Sequence, residues 1–266
     1  MRIAVGQISC ILGDGSANVE KLRDFAARAA KAGANLVVFP EMADTGYSMP
    51  VIRRHATAWS QGAVPELRKM ARALSIAVIC GVSERDGALI YNSQIFLDEK
   101  GETVGRYRKT HLFSSAPIEE DKCFSAGNRL ESFPMGDLHF GLSICYDLRF
   151  PEVYRRQAVE GGVDTFVISS AWPFPRVEHL RILATARAIE NQSYLILANR
   201  AGADDGITFC GNSTIIDPYG VVVAGASADR EELLVAEISV DVIRSVRERM
   251  PVFAHRRPEL YGKGRG

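Results

Sequence analysis

Two hydrophobic periods alternate along the chain. Residues 2–9, RIAVGQIS, alternate as a strand does. After the GDGSAN turn at 13–18, residues 18–34, NVEKLRDFAARAAKAGA, change to helical spacing. Val19, Leu22, Phe25, Ala26 and Ala29 share one face there, and Gly33 marks the stop. NLVVFP at 35–40 then predicts a buried strand. Residues 65–84 predict a helix followed by a strand, and 88–109 a hairpin turning at Glu99–Gly101. The same pattern returns later. A strand is predicted over 138–147, a helix over 152–160 ending at Gly161-Gly162, and a buried strand over 163–171. A helix beginning at Val177 carries Leu180, Leu183, Ala184, Arg187 and Asn191 along one side and leads into the apolar strand YLILAN. A hairpin around Asp217–Gly220, a strand over 232–240 and a helix over 241–250 complete the pattern.

Strands and helices thus alternate in two related halves, each with its own hairpin, which predicts an α/β layered fold with helices covering sheets. No linker rich in Pro, Gly or Ser separates the halves, so the expectation is one domain over 1–266 with an irregular tail from about 251. Lysine plus arginine and aspartate plus glutamate both number 32, so no net charge draws the chain to nucleic acid or an anionic membrane. No run suits a signal peptide or a spanning helix. Five cysteines, widely spaced and without C-x-x-C, predict free thiols in a reducing cytoplasm. The five histidines lack zinc-ligand spacing, and no nucleotide-binding glycine motif is present, so neither metal nor cofactor is expected.

Chemistry gathers where extended runs end. Glu41 follows NLVVFP's proline, Lys109 follows VGRYR, and Cys145 follows GLSI. In open α/β folds sites collect at the carboxyl ends of strands. A thiol is weakly nucleophilic until it loses its proton, a partly desolvated carboxylate can take that proton, and a fixed ammonium with a nearby backbone N–H can hold an oxyanion. Glu41, Lys109 and Cys145 therefore form a complete set for acyl transfer. Taken singly, an apolar-flanked cysteine is ordinarily packing and the two charged residues are ordinarily solvated strand ends. Cys10, Cys80, Cys123 and Cys210 read as packing thiols.

The three flanking segments, VVFPEMADTGY, GRYRKTHLF and GLSICYDLRFPE, resemble the signature segments of the nitrilase superfamily of carbon–nitrogen hydrolases, and ARAIENQSYLILANRAG resembles the segment that follows them. The resemblance runs from IAVGQ to RRPELY. It implies a four-layer α-β-β-α sandwich that pairs into a homodimer or higher homo-oligomer. It implies Glu41 as general base, Lys109 as oxyanion stabiliser, Cys145 as nucleophile, and the Tyr146 N–H as a second oxyanion donor. It also implies a second glutamate. In EEDKCFSAG the register to Ser125-Ala126-Gly127 favours Glu120 over Glu119.

Nitrilases of this superfamily typically read C-W-E where this chain reads Cys145-Tyr146-Asp147, and CYDLRFPE is similar instead to the amide-hydrolysing branches. SSAWPFPR followed by ARAIENQ looks most like bacterial omega-amidases, which act on small ω-amides such as 2-oxoglutaramate. The expected substrate wall is Tyr47, Phe113 and Trp172, with Tyr146 at the nucleophile; Phe174 is a further candidate for the wall but reads rather as ordinary core. Arg149 or Arg176 is expected to bind a substrate carboxylate, Arg149 having Asp147 or Glu152 as structural alternatives. His111 reads as structural, and Arg187, Glu190 and Asn191 as helix packing near an interface between copies. The alternatives are an N-carbamoyl hydrolase, a deaminated-glutathione amidase, a catalytically silent binder and a redox thiol protein.

Overall fold

The computed structural model describes residues 1–261. Arg2–Gln7 forms β1, and the chain then turns into α1, Gly15–Lys31. The Asp14 carboxylate accepts the Ala17 N–H at 3.0 Å, capping the helix where the GDGSAN turn predicted a start. Three further strands and two helices follow: β2 (Leu36–Val38), α2 (Met49–His55), α3 (Ala63–Leu74), β3 (Ala77–Asp86) and β4 (Leu89–Leu97). β5 (Thr103–Arg108) closes the predicted hairpin. In the second half come β6 (Ser132–Met135), β7 (Leu138–Ile144), α4 (Pro151–Glu160), β8 (Thr165–Ser170), α5 (Val177–Asn191) and β9 (Tyr194–Asn199). A two-residue ribbon, β10 (Ala203–Asp204) and β11 (Ile207–Thr208), precedes the hairpin of β12 (Thr214–Ile216) and β13 (Val222–Gly225). The last elements are β14 (Glu232–Glu237) and α6 (Val240–Arg249). From 251 to 261 the chain holds only turns and one 3-10 turn, and the rest of the predicted irregular tail lies outside the described residues.

The strands make two six-stranded sheets, ordered β14-β1-β2-β3-β4-β5 and β13-β12-β9-β8-β7-β6. Each holds three parallel strands, β1-β2-β3 or β7-β8-β9, flanked by antiparallel neighbours. The two halves predicted from the sequence are therefore two similarly built sheets, with one exchange: β14, from the end of the chain, pairs with β1 across the register Arg2↔Glu237 to Gln7↔Glu232. β6 went unpredicted because it is a four-residue edge strand interrupted by Pro134, which only an edge tolerates. α2 is short and has only Ile52 buried, too little for a readable period.

Both faces of each parallel trio are covered, which explains why the central strands read as continuous apolar runs. In the first sheet Ala4, Val37, Val78 and Cys80 pack with Leu22, Phe25 and Ala26 of α1 and Leu67 and Met70 of α3. The alternate positions, Ile3, Val5, Leu36, Val38 and Ile79, join the cluster that holds the second sheet. There Phe96 of β4 meets Phe140 of β7 edge to face at 5.6 Å between ring centroids. Gln94 Nε2 of β4 also donates to Ser169 Oγ of β8 at 2.8 Å, tying sheet to sheet. Val153 and Tyr154 of α4 and Leu180 and Ala184 of α5 close the outer face of the second sheet in the same cluster. The layers are helix, sheet, sheet, helix, as the resemblance implies. Among the described residues no helix is long and apolar enough to cross a membrane.

One close approach fixes the chain beyond β2. Gly81 of β3 donates its N–H to Pro40 O at 3.1 Å and accepts the Ala43 N–H at 2.9 Å. A Cβ on Gly81 would stand 2.5 Å from Pro40 O and 2.6 Å from Glu41 Cα, both backbone atoms that cannot swing aside. Gly81→Ala should therefore lower unfolding stability by about 1–3 kcal/mol, the usual cost of overpacking, as read from the denaturant midpoint. An unchanged midpoint would show that the loop carrying Glu41 yields freely.

Candidate active site

The carboxyl ends of β2, β5, β7 and β8 deliver Glu41, Lys109, Cys145 and Ala171 to one region between the sheets. Strand β7 ends at Ile144, and Cys145 begins a 3-10 turn, Cys145–Arg149, with a left-handed φ of +44°. That backbone conformation is costly for a residue with a side chain and persists only where its surroundings enforce it. Asp147 does the enforcing from within the turn. Its carboxylate accepts from the Ile144 N–H at 2.9 Å, the Tyr107 hydroxyl at 2.7 Å, the Thr110 hydroxyl at 3.0 Å and the His111 N–H at 3.0 Å. The His111 Nδ1 lies 2.9 Å from the same carboxylate, and the ring stacks on Phe150 at 3.8 Å. From α5, Arg187 Nε and Nη2 donate to Leu148 O at 3.1 and 3.0 Å. His111 and Arg187 thus both hold the turn that presents Cys145.

Lys109 is 1% exposed, and its ammonium donates to Glu41 Oε1 at 2.9 Å and Glu120 Oε1 at 2.8 Å. Asn92 Nδ2 of β4 reaches Glu41 Oε1 at 2.6 Å and Glu120 Oε1 at 3.3 Å. The Ala171 N–H donates to Glu41 Oε2 at 2.7 Å. On Glu120, the Tyr47 hydroxyl donates to Oε1 at 2.7 Å and the Phe113 N–H to Oε2 at 2.8 Å. Glu119 instead pairs with Lys122 at 2.6 Å at the surface, so the geometry separates the two glutamates that the sequence left adjacent.

Burial raises the Glu41 carboxyl above the ordinary carboxylate range; Lys109 pulls it down, and Glu120 adds to the rise. For Lys109, burial opposes the charged form, but Glu120 and Glu41 outweigh it and hold the ammonium above the ordinary lysine value. Burial also pushes the Cys145 thiol up, and the Glu41 charge pushes it further while Lys109 opposes. A free thiolate is therefore disfavoured at rest. Handing the thiol proton to Glu41 leaves the total charge of the cluster unchanged, which a buried site tolerates far better than creating a second net negative charge.

Cys145 and Lys109 open onto a narrow cleft walled by Tyr47, Phe113, Ile118, Tyr146 and Trp172. Phe113 and Tyr146 meet edge to face at 5.1 Å. Phe174 belongs neither to this wall nor to the core: it is 64% exposed, because the Trp172 indole turns inward to donate to Arg176 O at 2.9 Å while the chain at Phe174 faces out. Arg149 lies over Trp172 at 4.7 Å and Arg176 over Phe113 at 5.7 Å, both lining the mouth. Among the described residues neither guanidinium has a carboxylate within 4 Å. Asp147 and Glu152 are thus not the partners of Arg149, whose Nη2 instead faces His179 Nδ1 at 3.4 Å.

Several residues of this site escaped sequence reasoning. Asn92 lies in YNSQ, four polar or half-polar residues inside an otherwise apolar strand that is buried on both faces, and that run was a readable signal. Asp204 accepts the Tyr47 N–H at 2.8 Å and pairs with the buried Arg200, so it holds the loop that carries Tyr47. No local pattern announces it, since the contact spans 157 residues.

A family model described as carbon–nitrogen hydrolase matches residues 2–248. The chain is 35% identical to the 2-oxoglutaramate amidase of Bacillus subtilis over 96% of this chain and 98% of that protein. It is 30% identical to the omega-amidase of Homo sapiens over 96% of this chain and 94% of that one. Among solved structures, a mutant of the amidase from Nesterenkonia sp. AN1, in which acrylamide has added to the active-site cysteine, superimposes with a TM-score of 0.84 at 29% identity, covering 94% of this chain and 98% of that one. With the helix–sheet–sheet–helix architecture and the buried glutamate–lysine–cysteine cluster in place, the chain belongs to the carbon–nitrogen hydrolases of the nitrilase superfamily.

Proposed function

We propose that the protein is an omega-amidase-like thiol hydrolase of small amides that also carry a carboxylate, 2-oxoglutaramate being the type. The observation that carries the substrate class is the pair of guanidiniums, Arg149 and Arg176, without a carboxylate partner among the described residues and facing the cleft that holds Cys145 and Lys109. A buried or half-buried arginine without a counter-ion suits the planar, bidentate recognition of a carboxylate. The likeness to the 2-oxoglutaramate amidase of Bacillus subtilis supports the same reading. N-carbamoyl amino acids also carry a carboxylate and form the second reading.

Cys145 Sγ attacks the amide carbon while its proton passes to Glu41. Lys109 Nζ and the Tyr146 N–H hold the oxyanion, and Glu120, fixed by Tyr47 and the Phe113 N–H, keeps Lys109 in position. Glu41 returns the proton to the amide nitrogen, the C–N bond breaks, and ammonia leaves a thioester. Water then gives a proton to Glu41 and its oxygen to the carbonyl carbon. The C–S bond breaks, the acid departs, and sulfur recovers its proton. Tyr47, Phe113 and Trp172 exclude water beside the reacting carbon. The exposed apolar face made by Ile182 and Ile189 of α5 with Val222 of β13 supports the homodimer that the resemblance implies.

Three outcomes follow. In an ammonia-release assay with 2-oxoglutaramate, succinamate, glutamine and an N-carbamoyl amino acid, the ω-amides should be turned over and Cys145→Ala should reduce the rate to background. Turnover of the carbamoyl compound alone would move the protein to that branch. Second, Arg149→Gln and Arg176→Gln should each raise KM for succinamate about 10- to 100-fold, the worth of a charge-assisted hydrogen bond, and leave propionamide nearly unaffected. Equal losses on both amides would remove the carboxylate clamp. Third, Glu41 is active as a base only when ionised, and its carboxyl is held above the ordinary value of 4.5. Protonation on lowering the pH therefore inactivates it early, and the acid limb of kcat/KM should lie above 4.5. A limb at or below that value would place the base elsewhere.

A further inference from the structure

Ser170 closes β8, and it is fully buried. The parallel register pairs Ile144 of β7 with Ser169 of β8, so the next residues along, Cys145 and Ser170, leave adjacent strands side by side. The Ser170 backbone is fixed: its carbonyl accepts the Arg200 N–H at 3.1 Å, and β9 pairs with it through Asn199. The neighbouring buried hydroxyls are all engaged. Ser169 Oγ donates to Phe39 O at 2.7 Å, and Ser143 Oγ lies 2.9 Å from the Tyr154 hydroxyl. Ser170 Oγ is the only buried hydroxyl without a hydrogen-bond partner among the described residues. Leaving a buried hydroxyl unpaired is a cost to the fold, and such a group calls for a partner that the resting protein lacks.

A thiol sulfur is a poor acceptor, whereas a thiolate is a good one. We infer that the Ser170 hydroxyl donates a hydrogen bond to the Cys145 sulfur when that sulfur carries negative charge, and so lowers the barrier at both ends of the catalytic cycle. The inference rests on the assignment of Cys145 as nucleophile. On attack the S–H proton passes to Glu41 and the S–C bond forms. On collapse of the second tetrahedral intermediate the C–S bond breaks, its electron pair returns to sulfur, and Ser170 holds that charge until Glu41 gives the proton back. An interaction absent from the resting thiol and present with the charged sulfur acts on the rate and not on substrate binding. The Ser170 hydroxyl also opposes the upward push that burial exerts on the Cys145 thiol, as this role requires.

The test is Ser170→Ala, with Ser170→Thr as the variant that keeps the hydroxyl. Two readings are taken: kcat and KM for succinamate, and the pH profile of Cys145 alkylation by iodoacetamide, followed at the Cys145 peptide by mass spectrometry. Ser170→Ala should melt at or above the parent temperature, because the hydroxyl makes no bond at rest. Its kcat should fall about tenfold or more with KM little changed, the range expected for a hydrogen bond to a charged group. Its alkylation profile should move up by about one pH unit, and Ser170→Thr should restore both. A parental alkylation profile and kcat in Ser170→Ala would overturn the inference. So would a drop in melting temperature, which would give the hydroxyl a structural partner. Cys145→Ala in parallel separates the two layers of argument. Residual turnover there removes the nucleophile assignment, while a dead Cys145→Ala beside an unaltered Ser170→Ala removes only the serine donor.

Discussion

A buried ammonium held between two buried carboxylates is the constraint around which this molecule is organised. Lys109 is 1% exposed, and Glu41 and Glu120 are not exposed at all. None of the three could stay charged there alone, since removing one member of such a cluster leaves an uncompensated charge in a poorly polarisable interior. The excess negative charge is met by donors, and each comes from a different place: Asn92 from β4, the Ala171 N–H from the end of β8, the Phe113 N–H from the segment after β5, and the Tyr47 hydroxyl from the loop after β2. The cluster is satisfied only when both sheets and both loops are in place. Closure of the fold and assembly of the site are one event.

The turn that carries Cys145 is maintained on the same principle. The left-handed backbone at Cys145 is unfavourable in isolation, and the structure surrounds it with fixed partners instead of relieving it. Asp147 gathers donors from β5, from the segment after it and from the end of β7, while Arg187 secures the far end of the turn from α5. The sulfur is thereby presented at the strand end with little freedom, which is what a reaction governed by placement needs. Burial and the Glu41 charge disfavour a free thiolate there, and in the proposed mechanism Glu41 accepts the proton as the new bond forms.

The cluster itself says little about which amide is cleaved. The fold and the three central residues suit any carbon–nitrogen hydrolase, and fold alone does not select a substrate. On the proposed reading selection falls to the rim, where Arg149 extends from the turn that carries Cys145 and Arg176 stands at the start of α5. Both rest on aromatic faces, over Trp172 and Phe113, which hold the guanidiniums in place without neutralising them.

Taken alone, the sequence determined the order of nearly all the helices and strands, the two related halves, and the strand-end positions of Glu41, Lys109 and Cys145. These are local properties: apolar periodicity records which face is buried, and a functional residue just past a buried strand is visible in one dimension. It did not reveal β6, a short edge strand, or that β14 returns to the first sheet, because pairing partners distant in the chain leave no periodic trace. The register to Ser125-Ala126-Gly127 already favoured Glu120 over Glu119; tertiary structure added that Glu120 is buried against Lys109 while Glu119 pairs with Lys122 at the surface. It also turned Phe174 outward, and it brought in Asn92, Asp204 and the unpartnered Ser170. A buried polar group acquires its meaning from the charge it faces, and those charges come together only when the two sheets close.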